Sequence, residues 1–263
     1  MNEKIKEYWE NRAIENTDNI QATTNDIYLR KLEIATIVKT LNELELTEDS
    51  EILDVGCGDG FSTINIAKDI QKGKFTGIDY SSNMIQNACK LKQSLDFQKN
   101  IEFLTGDSTD LDAILKNKLF DVIMTDRCLI NLETLELQKK AISQIAKHVK
   151  KGGHYICIEN FVEGQENLNI VRKKLELNEI PIRWHNLFFK EDEFTKTVTK
   201  EFRIVRWDDF VSSYYYATRI IYSKMCQIEK TEPDYNHIIH KLAVDLPWFG
   251  KFSPIRMAIL EKI

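Results

Sequence analysis

The spacing of apolar residues along the chain predicts helices first and strands later. Near the start of the chain, apolar residues at spacings of two to four in a charged background predict an amphipathic helix: Leu29, Leu32, Ile34, Val38 and Leu41. From residue 52 onward, short runs rich in β-branched and aromatic residues predict strands over 52–55, 75–79, 101–104, 120–125 and 155–159. Helical spacing separates these runs, and the last such helix carries Val149 at its end.

Strands that alternate with helices predict an α/β fold. Neighbouring parallel strands need a crossover connection, so we expect a doubly wound, mostly parallel sheet that is covered by helices on both faces. The sequence KGG at 151–153 is expected to turn the chain into the fifth strand. Two later strand-like runs, 202–206 and 256–263, bring the expected sheet to seven strands.

The alternation breaks after residue 159. The stretch 161–199 contains the break at Pro181 and the aromatic run WHNLFF that begins at Trp184, and the stretch 207–252 contains three consecutive tyrosines. Both read as insertions that cover a site. We predict a single domain in three parts: an N-terminal helical lid segment (1–48), a ligand-binding core (49–160), and a part that completes the sheet and carries an inserted cap (161–263).

Composition and charge narrow the class of protein. The chain has 263 residues, and its 41 acidic and 36 basic residues give a net charge of −5 without long blocks of one sign. A nucleic acid partner needs a basic face, so we expect none. The five cysteines are odd in number and form no C-x-x-C pair, which argues against a disulfide framework and against a zinc site.

No segment is typical of membrane insertion or export. No apolar run approaches the roughly 20 residues of a membrane helix, and the first residues lack the apolar core of a signal peptide. We therefore expect a cytoplasmic protein without a membrane partner.

Three glycines follow the first predicted strand in the sequence ILDVGCGDG, at Gly56, Gly58 and Gly60. In an open α/β sheet the first strand-to-helix turn is the usual ligand site, and glycine lets the backbone turn tightly and approach the ligand. The spacing differs from the G-x-G-x-x-G of dinucleotide sites, and no P-loop lysine follows. A nucleoside with an amino-acid tail is the common ligand class that remains.

The sequence DVGCGDG at 54–60 resembles the first motif, D/E-x-G-x-G-x-G, of the class I S-adenosylmethionine-dependent methyltransferases. The resemblance covers residues 45–160 and continues through three further elements: GIDYS at 77–81, GDS at 106–108, and the strand FDVI at 120–123 followed by KGG at 151–153. It implies a Rossmann-like fold that binds S-adenosylmethionine as methyl donor and releases S-adenosylhomocysteine.

The resemblance also implies roles for individual residues in binding S-adenosylmethionine. Asp54 orients the methionine portion, Asp79 accepts hydrogen bonds from the ribose hydroxyls, and Asp107 accepts from the adenine amino group. Tyr8 and Arg30 close over the cofactor from the N-terminal segment. The expected cofactor contacts are Tyr8, Arg30, Asp54, Gly56, Cys57, Gly58, Asp79, Tyr80, Met84, Asp107, Ser108, Asp126 and Arg127.

Several of these residues have purely structural alternatives. Asp79 could cap the following helix, a role for which Ser81 and Ser82 compete. Asp107 could stabilise a turn, and Met84 could belong to the helix core.

Methyl transfer from a sulfonium needs little chemical catalysis. The reaction is an in-line displacement with a good leaving group, so a base is required only for a weakly acidic hydroxyl or a protonated amine. His185 is our candidate general base, because an imidazole with a pKa of about 6.5 accepts a proton at neutral pH. It could equally satisfy local backbone groups. Asp126, at the end of the fourth predicted strand, is the second catalytic candidate.

Some metal-assisted methyltransferases place an acid at the fourth strand and an acid–amide pair near the fifth, as Asp126, Glu159 and Asn160 would be placed here. The surrounding pattern is poor, so we expect no metal, and magnesium in particular is not expected.

Motifs that the sequence lacks argue against two classes of methyl acceptor. The fourth strand is followed by TDRC rather than the N/D-P-P-Y/F of base-methylating enzymes, and no hairpin with two glutamates suggests protein arginine as substrate. The runs 127–132 and 184–186 look like a bacterial subgroup associated with sugar modification. We therefore expect a small polar acceptor, with a hydroxyl of a sugar or sugar-nucleotide type as the target, and a monomeric or homodimeric enzyme.

Two other functions stay open for this sequence, and a third is disfavoured. N-methylation of a small molecule, and a catalytically silent module that binds S-adenosylmethionine and a partner, stay open. A nucleotide-dependent reductase is disfavoured, because no tyrosine has a lysine four residues later.

Overall fold

A seven-stranded sheet forms the centre of the computed structural model, which describes residues 3–15, 23–95 and 100–263. The strand order is β3-β2-β1-β4-β5-β7-β6; the first five pair in parallel, and β7 runs antiparallel to β5 and β6. This confirms the predicted fold class. The strands are β1 (Glu51–Val55), β2 (Lys74–Asp79), β3 (Ile101–Thr105), β4 (Phe120–Asp126), β5 (Val149–Asn160), β6 (Phe202–Asp208) and β7 (Ile255–Lys262).

Helices connect the strands and cover the sheet. They are α1 (Glu3–Glu15), α2 (Ile27–Glu43), α3 (Phe61–Asp69), α4 (Ser82–Ser94), α5 (Asp112–Leu115), α6 (Leu135–His148), α7 (Val162–Lys174), α8 (Glu191–Val198), α9 (Ser212–Tyr215), α10 (Tyr222–Glu229) and α11 (Ile238–Ala243). A 3₁₀ helix, Leu129–Asn131, follows β4, and a π-helical segment, Tyr216–Ile221, joins α9 to α10.

The central strands are buried on both faces, because successive side chains of a strand point to opposite sides of the sheet. Ile52 and Val122 belong to one apolar cluster, whereas the next residues along, Leu53 and Ile123, belong to the cluster on the other face. Continuous apolar runs therefore indicate these central strands, because residues on both faces of the strand are buried.

The fifth strand begins earlier than the sequence predicted. Val149, expected at the end of a helix, pairs with Phe120 as the first residue of β5, and the glycine turn expected at 151–153 lies inside the strand. The register between β4 and β5 shifts between Phe120 and Val122. This irregularity takes up the extra residues around the glycines, so they interrupt the pairing with β4 without ending the strand.

The strand order places the ligand crevice at one edge of the sheet. Chain order runs outward from β1 toward β3 on one side and from β4 toward β5 on the other, so the order reverses between β1 and β4. Ligands of open α/β sheets bind beyond the carboxyl ends of the strands at such a reversal. Within the described residues, no helix has both the length and the apolarity to cross a membrane.

The N-terminal helix α1 packs on α4. Ala13 and Met84 form a small apolar cluster with Trp9. Asn83 Nδ2 donates to Glu10 Oε2 at 2.5 Å, and Asn87 Nδ2 donates to the Ala13 carbonyl at 2.9 Å. These contacts place α1 beside the crevice, as expected of a lid, and we propose that role for it.

Candidate active site

A cavity of about 350 Å³ opens at the carboxyl ends of β1, β2, β4 and β5. The candidate general base His185 lines it together with most of the predicted cofactor contacts, which are Tyr8, Arg30, Asp54, Gly56, Cys57, Gly58, Asp79, Tyr80, Met84, Ser108, Asp126 and Arg127. The N-terminal segment, the core and the inserted cap thus all contribute to one cavity.

Asp107 is the predicted cofactor contact that does not line the cavity. Its Oδ1 accepts hydrogen bonds from the Thr109 backbone N–H at 2.8 Å and from Thr109 Oγ1 at 2.9 Å. The carboxylate therefore stabilises the turn after β3, whereas its neighbours Gly106 and Ser108 reach the cavity.

The glycine turn requires glycine for reasons of both conformation and space. Gly56 has φ +82°, and a Cβ there would lie 2.4 Å from Cys128 Sγ. The backbone N–H groups of Gly56 and Cys57 both donate to the Ile78 carbonyl, at 2.7 and 3.0 Å. The turn is therefore tied to β2, with bare main chain facing the cavity.

Asp79 closes β2 with its carboxylate fixed by backbone groups. Oδ2 accepts from Gly58 N at 3.0 Å and Oδ1 accepts from Ser81 N at 2.9 Å. Ser81 caps α4, since its Oγ accepts from Met84 N at 3.1 Å. Each carboxylate oxygen keeps a further lone pair, which suits the two hydroxyls of a ribose.

Burial raises the pKa values of two carboxyl groups beside the turn. The pKa of Asp79 is raised to about 6, against the opposing effect of its backbone hydrogen bonds. The pKa of Asp54 is raised to about 7 by burial, although Thr63 Oγ1 donates to its Oδ2 at 2.5 Å. Both groups thus titrate just below or at neutral pH.

The affinity for S-adenosylmethionine is therefore expected to weaken as the pH falls from about 8 to about 5, through the two raised pKa values. The ligand needs both carboxylates ionised, so below each pKa its binding must displace a proton, and Kd rises by up to about tenfold per pH unit for each group. Isothermal titration calorimetry across this range measures the effect. An affinity that does not change with pH would contradict it.

Ion pairs hold both arginines that the sequence predicted to contact the cofactor. Arg30 NH2 lies 2.6 Å from Asp59 Oδ1, inside the glycine turn, and Arg127 Nε lies 2.8 Å from Glu33 Oε1. Glu33 is fully buried on α2, where burial raises its pKa and the attraction of Arg127 opposes that rise. Sequence reasoning missed Glu33. An acid spaced four residues from both Leu29 and Ile37, on the apolar stripe, was the available signal.

The lid helix contacts the inserted cap through aromatic rings. The ring of Tyr8 stacks on that of His185 with centroids 4.7 Å apart, and Trp9 meets His185 edge-on at 5.8 Å. Trp9 Nε1 also donates to Asn131 Oδ1 at 3.2 Å. His185 is thus held between α1 and the cap, with 5% of its surface exposed.

A second wall of the cavity comes from the insertion at 207–252, which the sequence predicted to cover a site, although Arg219 and Tyr235 were not among the predicted site residues. Arg219 lies over the rings of Tyr215 and Tyr235, 5.2 and 5.0 Å from their centroids, and pairs with Asp26. Tyr214 OH donates to Asp26 Oδ1 at 2.6 Å. Of the three consecutive tyrosines, Tyr215 lines the cavity while Tyr214 is buried in the core. Consecutive helical residues point in different directions, as expected.

Glu159 has a structural role. Oε1 accepts from Cys128 N and Leu129 N, and Oε2 accepts from Ile130 N, at 2.9 to 3.2 Å. The carboxylate therefore caps the 3₁₀ helix after β4, where its lone pairs are taken up by backbone donors. No cluster of three candidate metal ligands occurs among the residues that the structure describes.

Comparison with known proteins places the chain in a family. A sequence model described as a methyltransferase domain matches residues 46–217. The chain is 31% identical over 140 residues to a demethylmenaquinone methyltransferase of Lactococcus lactis, a match that covers 53% of this chain and 52% of that protein. The chain spans about half the length of the curated relatives that it matches first.

Two solved structures share the fold over almost the whole chain. Magnesium protoporphyrin IX methyltransferase from Synechocystis PCC 6803, with bound S-adenosylhomocysteine, superposes with a TM-score of 0.61 at 16% identity and covers 98% of this chain and 94% of its own. The N-methyltransferase NodS from Bradyrhizobium japonicum WM9, with the same ligand, gives 0.59 at 15% identity and covers 97% and 98%.

The family match spans the whole predicted core and extends into the cap, and the motifs identified from the sequence lie within it. The chain belongs to the methyltransferase-domain family of class I S-adenosylmethionine-dependent methyltransferases.

Proposed function

We propose that the protein transfers the methyl group of S-adenosylmethionine to a small-molecule acceptor. The observation that carries this proposal is that a single cavity is lined both by the glycine turn with Asp79 and by a buried histidine of the cap, His185. A site that only binds a nucleoside would not need the histidine of the cap. Methyl transfer needs a donor pocket and an acceptor pocket that meet at one atom.

The residues on the donor side fit S-adenosylmethionine. Gly56 and Gly58 present bare backbone to the cavity, and Asp79 presents lone pairs for the ribose. Asp54, the next-to-last residue of β1, lines the cavity beside the turn and suits a ligand with a positive sulfonium and an ammonium group. Met84, 2% exposed, supplies an apolar surface for the adenine ring. Bound there, the donor supplies an electrophilic methyl carbon.

On the acceptor side we assign His185 as general base and Asp126 as the residue beside the reacting group. Burial and the nearby Arg183 lower the pKa of His185, so the imidazole is neutral at physiological pH and can accept a proton. The stacked ring of Tyr8 fixes its orientation. His185 would take the proton that the acceptor releases.

The acceptor is proposed as a small polar molecule. The sugar-like hydroxyl that the sequence favoured finds no support among these relatives, whose names give demethylmenaquinone and magnesium protoporphyrin IX as substrates. The net charge of −5 supports a small molecule over a nucleic acid. A cytoplasmic location and a monomeric or homodimeric state stay predictions.

Two measurements on the full chain test this function. Calorimetry with S-adenosylmethionine measures binding, and incubation with methyl-labelled donor and a deproteinised extract of the source cells measures transfer. We expect binding together with a labelled product of low molecular weight. Binding without transfer would identify the silent module instead, and the absence of binding would remove the proposal altogether.

A further inference from the structure

Three buried polar atoms in the acceptor half of the cavity have no hydrogen-bond partner among the described residues: Asp126 Oδ1, Asn160 Oδ1 and His185 Nδ1. Asp126 ends β4 and Asn160 ends the adjacent parallel strand β5. Phe189 N donates to the Asn160 carbonyl at 2.9 Å and Leu187 N donates to the Ile130 carbonyl at 2.7 Å. These bonds hold the segment that carries His185 along the ends of both strands.

The carboxylate of Asp126 faces a half-cavity in which the half-buried Arg127 and Arg219 each have a nearer acidic partner. Arg127 gives its guanidinium to Glu33 at 2.8 Å, and its Nε stays 3.6 Å from Asp126 Oδ1. Arg219 pairs with Asp26. Asp126 Oδ1 therefore keeps only a long ion pair with Arg127 and no hydrogen bond, so a cationic donor can add a closer partner.

Buried polar atoms without partners destabilise a folded protein, so their occurrence together points to a ligand that satisfies them. All three atoms can accept a hydrogen bond, provided that the neutral imidazole carries its proton on Nε2. A hydroxyl acceptor donates one hydrogen bond and would leave two of the atoms unpaired. A primary ammonium group donates three and brings the positive charge that suits Asp126.

We propose that the methyl acceptor is a primary amine, which enters the site as its ammonium ion and donates to Asp126 Oδ1, Asn160 Oδ1 and His185 Nδ1. This inference rests on the proposed function and specifies its substrate class.

The chemistry balances with the groups present. The ammonium N–H bond breaks, the proton passes to His185 Nδ1, and the amine nitrogen regains its lone pair. That lone pair forms the new nitrogen–carbon bond to the methyl group while the carbon–sulfur bond breaks, and the bonding electrons stay on sulfur as a neutral thioether. The product is a protonated secondary amine, and His185 returns its proton to solvent.

The test compares two halves of one deproteinised extract of the source cells, each incubated with the full-length protein and methyl-labelled S-adenosylmethionine. In one half, primary and secondary amines are first blocked by N-acetylation, followed by hydroxylamine to cleave any O-acetyl esters. We expect a labelled product in the untreated half, with the carbon chemical shift of an N-methyl group, and its loss from the acetylated half.

Two matched variants of Asn160 test the recognition itself, on the product-forming amine purified from the extract. Asn160→Leu removes the acceptor oxygen and is expected to raise KM for the amine about tenfold or more, with KM for S-adenosylmethionine unchanged. Asn160→Asp keeps an acceptor and adds a negative charge, so it is expected to leave KM for the amine unchanged or lower.

Labelled product that survives acetylation, or that carries a methoxy group, would overturn the amine assignment while leaving the proposed function in place. An Asn160→Asp variant that impairs amine binding as much as Asn160→Leu would also contradict it. Failure to bind S-adenosylmethionine in calorimetry is the separate result that would instead remove the proposed function.

Discussion

Replacing His185 by asparagine is expected to lower kcat about a hundredfold to ten-thousandfold, the usual contribution of a positioned general base. Asparagine keeps a polar side chain of similar reach but cannot take up a proton. The ring lies on the acceptor side of the cavity, between Tyr8 and the cap, so Kd for S-adenosylmethionine should stay unchanged. Steady-state kinetics together with calorimetry separate the two quantities.

His154→Asn is the matched control for this variant. His154 lies within β5, pairs with Val122 and Glu261, and does not line the cavity. Its replacement should leave kcat unchanged. A second readout comes from pH, since the wild-type kcat should fall as the pH drops through the lowered pKa of His185 and protonates the base. A His185→Asn enzyme with near-normal kcat would show that positioning the donor and the acceptor is enough for methyl transfer, without a general base.

The donor half of the site could be predicted from the sequence because its determinants are local. The strand, the glycine turn and the next acid are consecutive in the chain, and the conformation of the turn depends on residues within it. Gly56 and Gly58 adopt positive φ, and Asp79 meets the turn because β1 and β2 are parallel neighbours. A spacing rule captures these features without knowledge of the tertiary structure.

The acceptor half could be predicted only as a set of candidates, because its determinants lie far apart in the chain. His185 was chosen for its chemistry, yet its environment is set by Tyr8 on α1, more than a hundred positions earlier. The pair formed by Glu33 and Arg127 likewise joins α2 to the end of β4. No local pattern encodes which helix will cover which strand end, so these contacts become visible only in the fold.

Asp107 shows that a local motif can identify a residue without determining where its side chain points. The motif places an acid after β3, but a change in backbone direction over one residue decides which side chain reaches the cavity. Here Ser108 lines the cavity, while the Asp107 carboxylate turns back to Thr109. Substituting Asp79 and Asp107 in the same way therefore tests whether the affinity for S-adenosylmethionine depends on a carboxylate that lines the cavity or on every acid of the motif.

Replacing Asp79 by asparagine is expected to weaken S-adenosylmethionine binding by about 2–3 kcal/mol, which corresponds to a rise in Kd of roughly 30-fold to 150-fold. One carboxylate oxygen becomes an amide NH₂, which cannot accept from a ribose hydroxyl. It also faces the backbone N–H of Gly58 or of Ser81, both of which now donate to the carboxylate. The variant should also lose the part of the pH dependence that belongs to the raised pKa of Asp79.

Asp107→Asn makes the same chemical change in the turn after the neighbouring strand β3. Since the Asp107 carboxylate faces Thr109 and not the cavity, we expect its Kd for S-adenosylmethionine to stay within about threefold of the wild type, the change typical of a substitution away from a site. Calorimetry on both variants at pH 8, where Asp79 is ionised, gives the comparison directly. Equal losses of affinity would show that Asp107 turns toward the adenine amino group when the ligand binds, and would restore the role that the motif assigns to it.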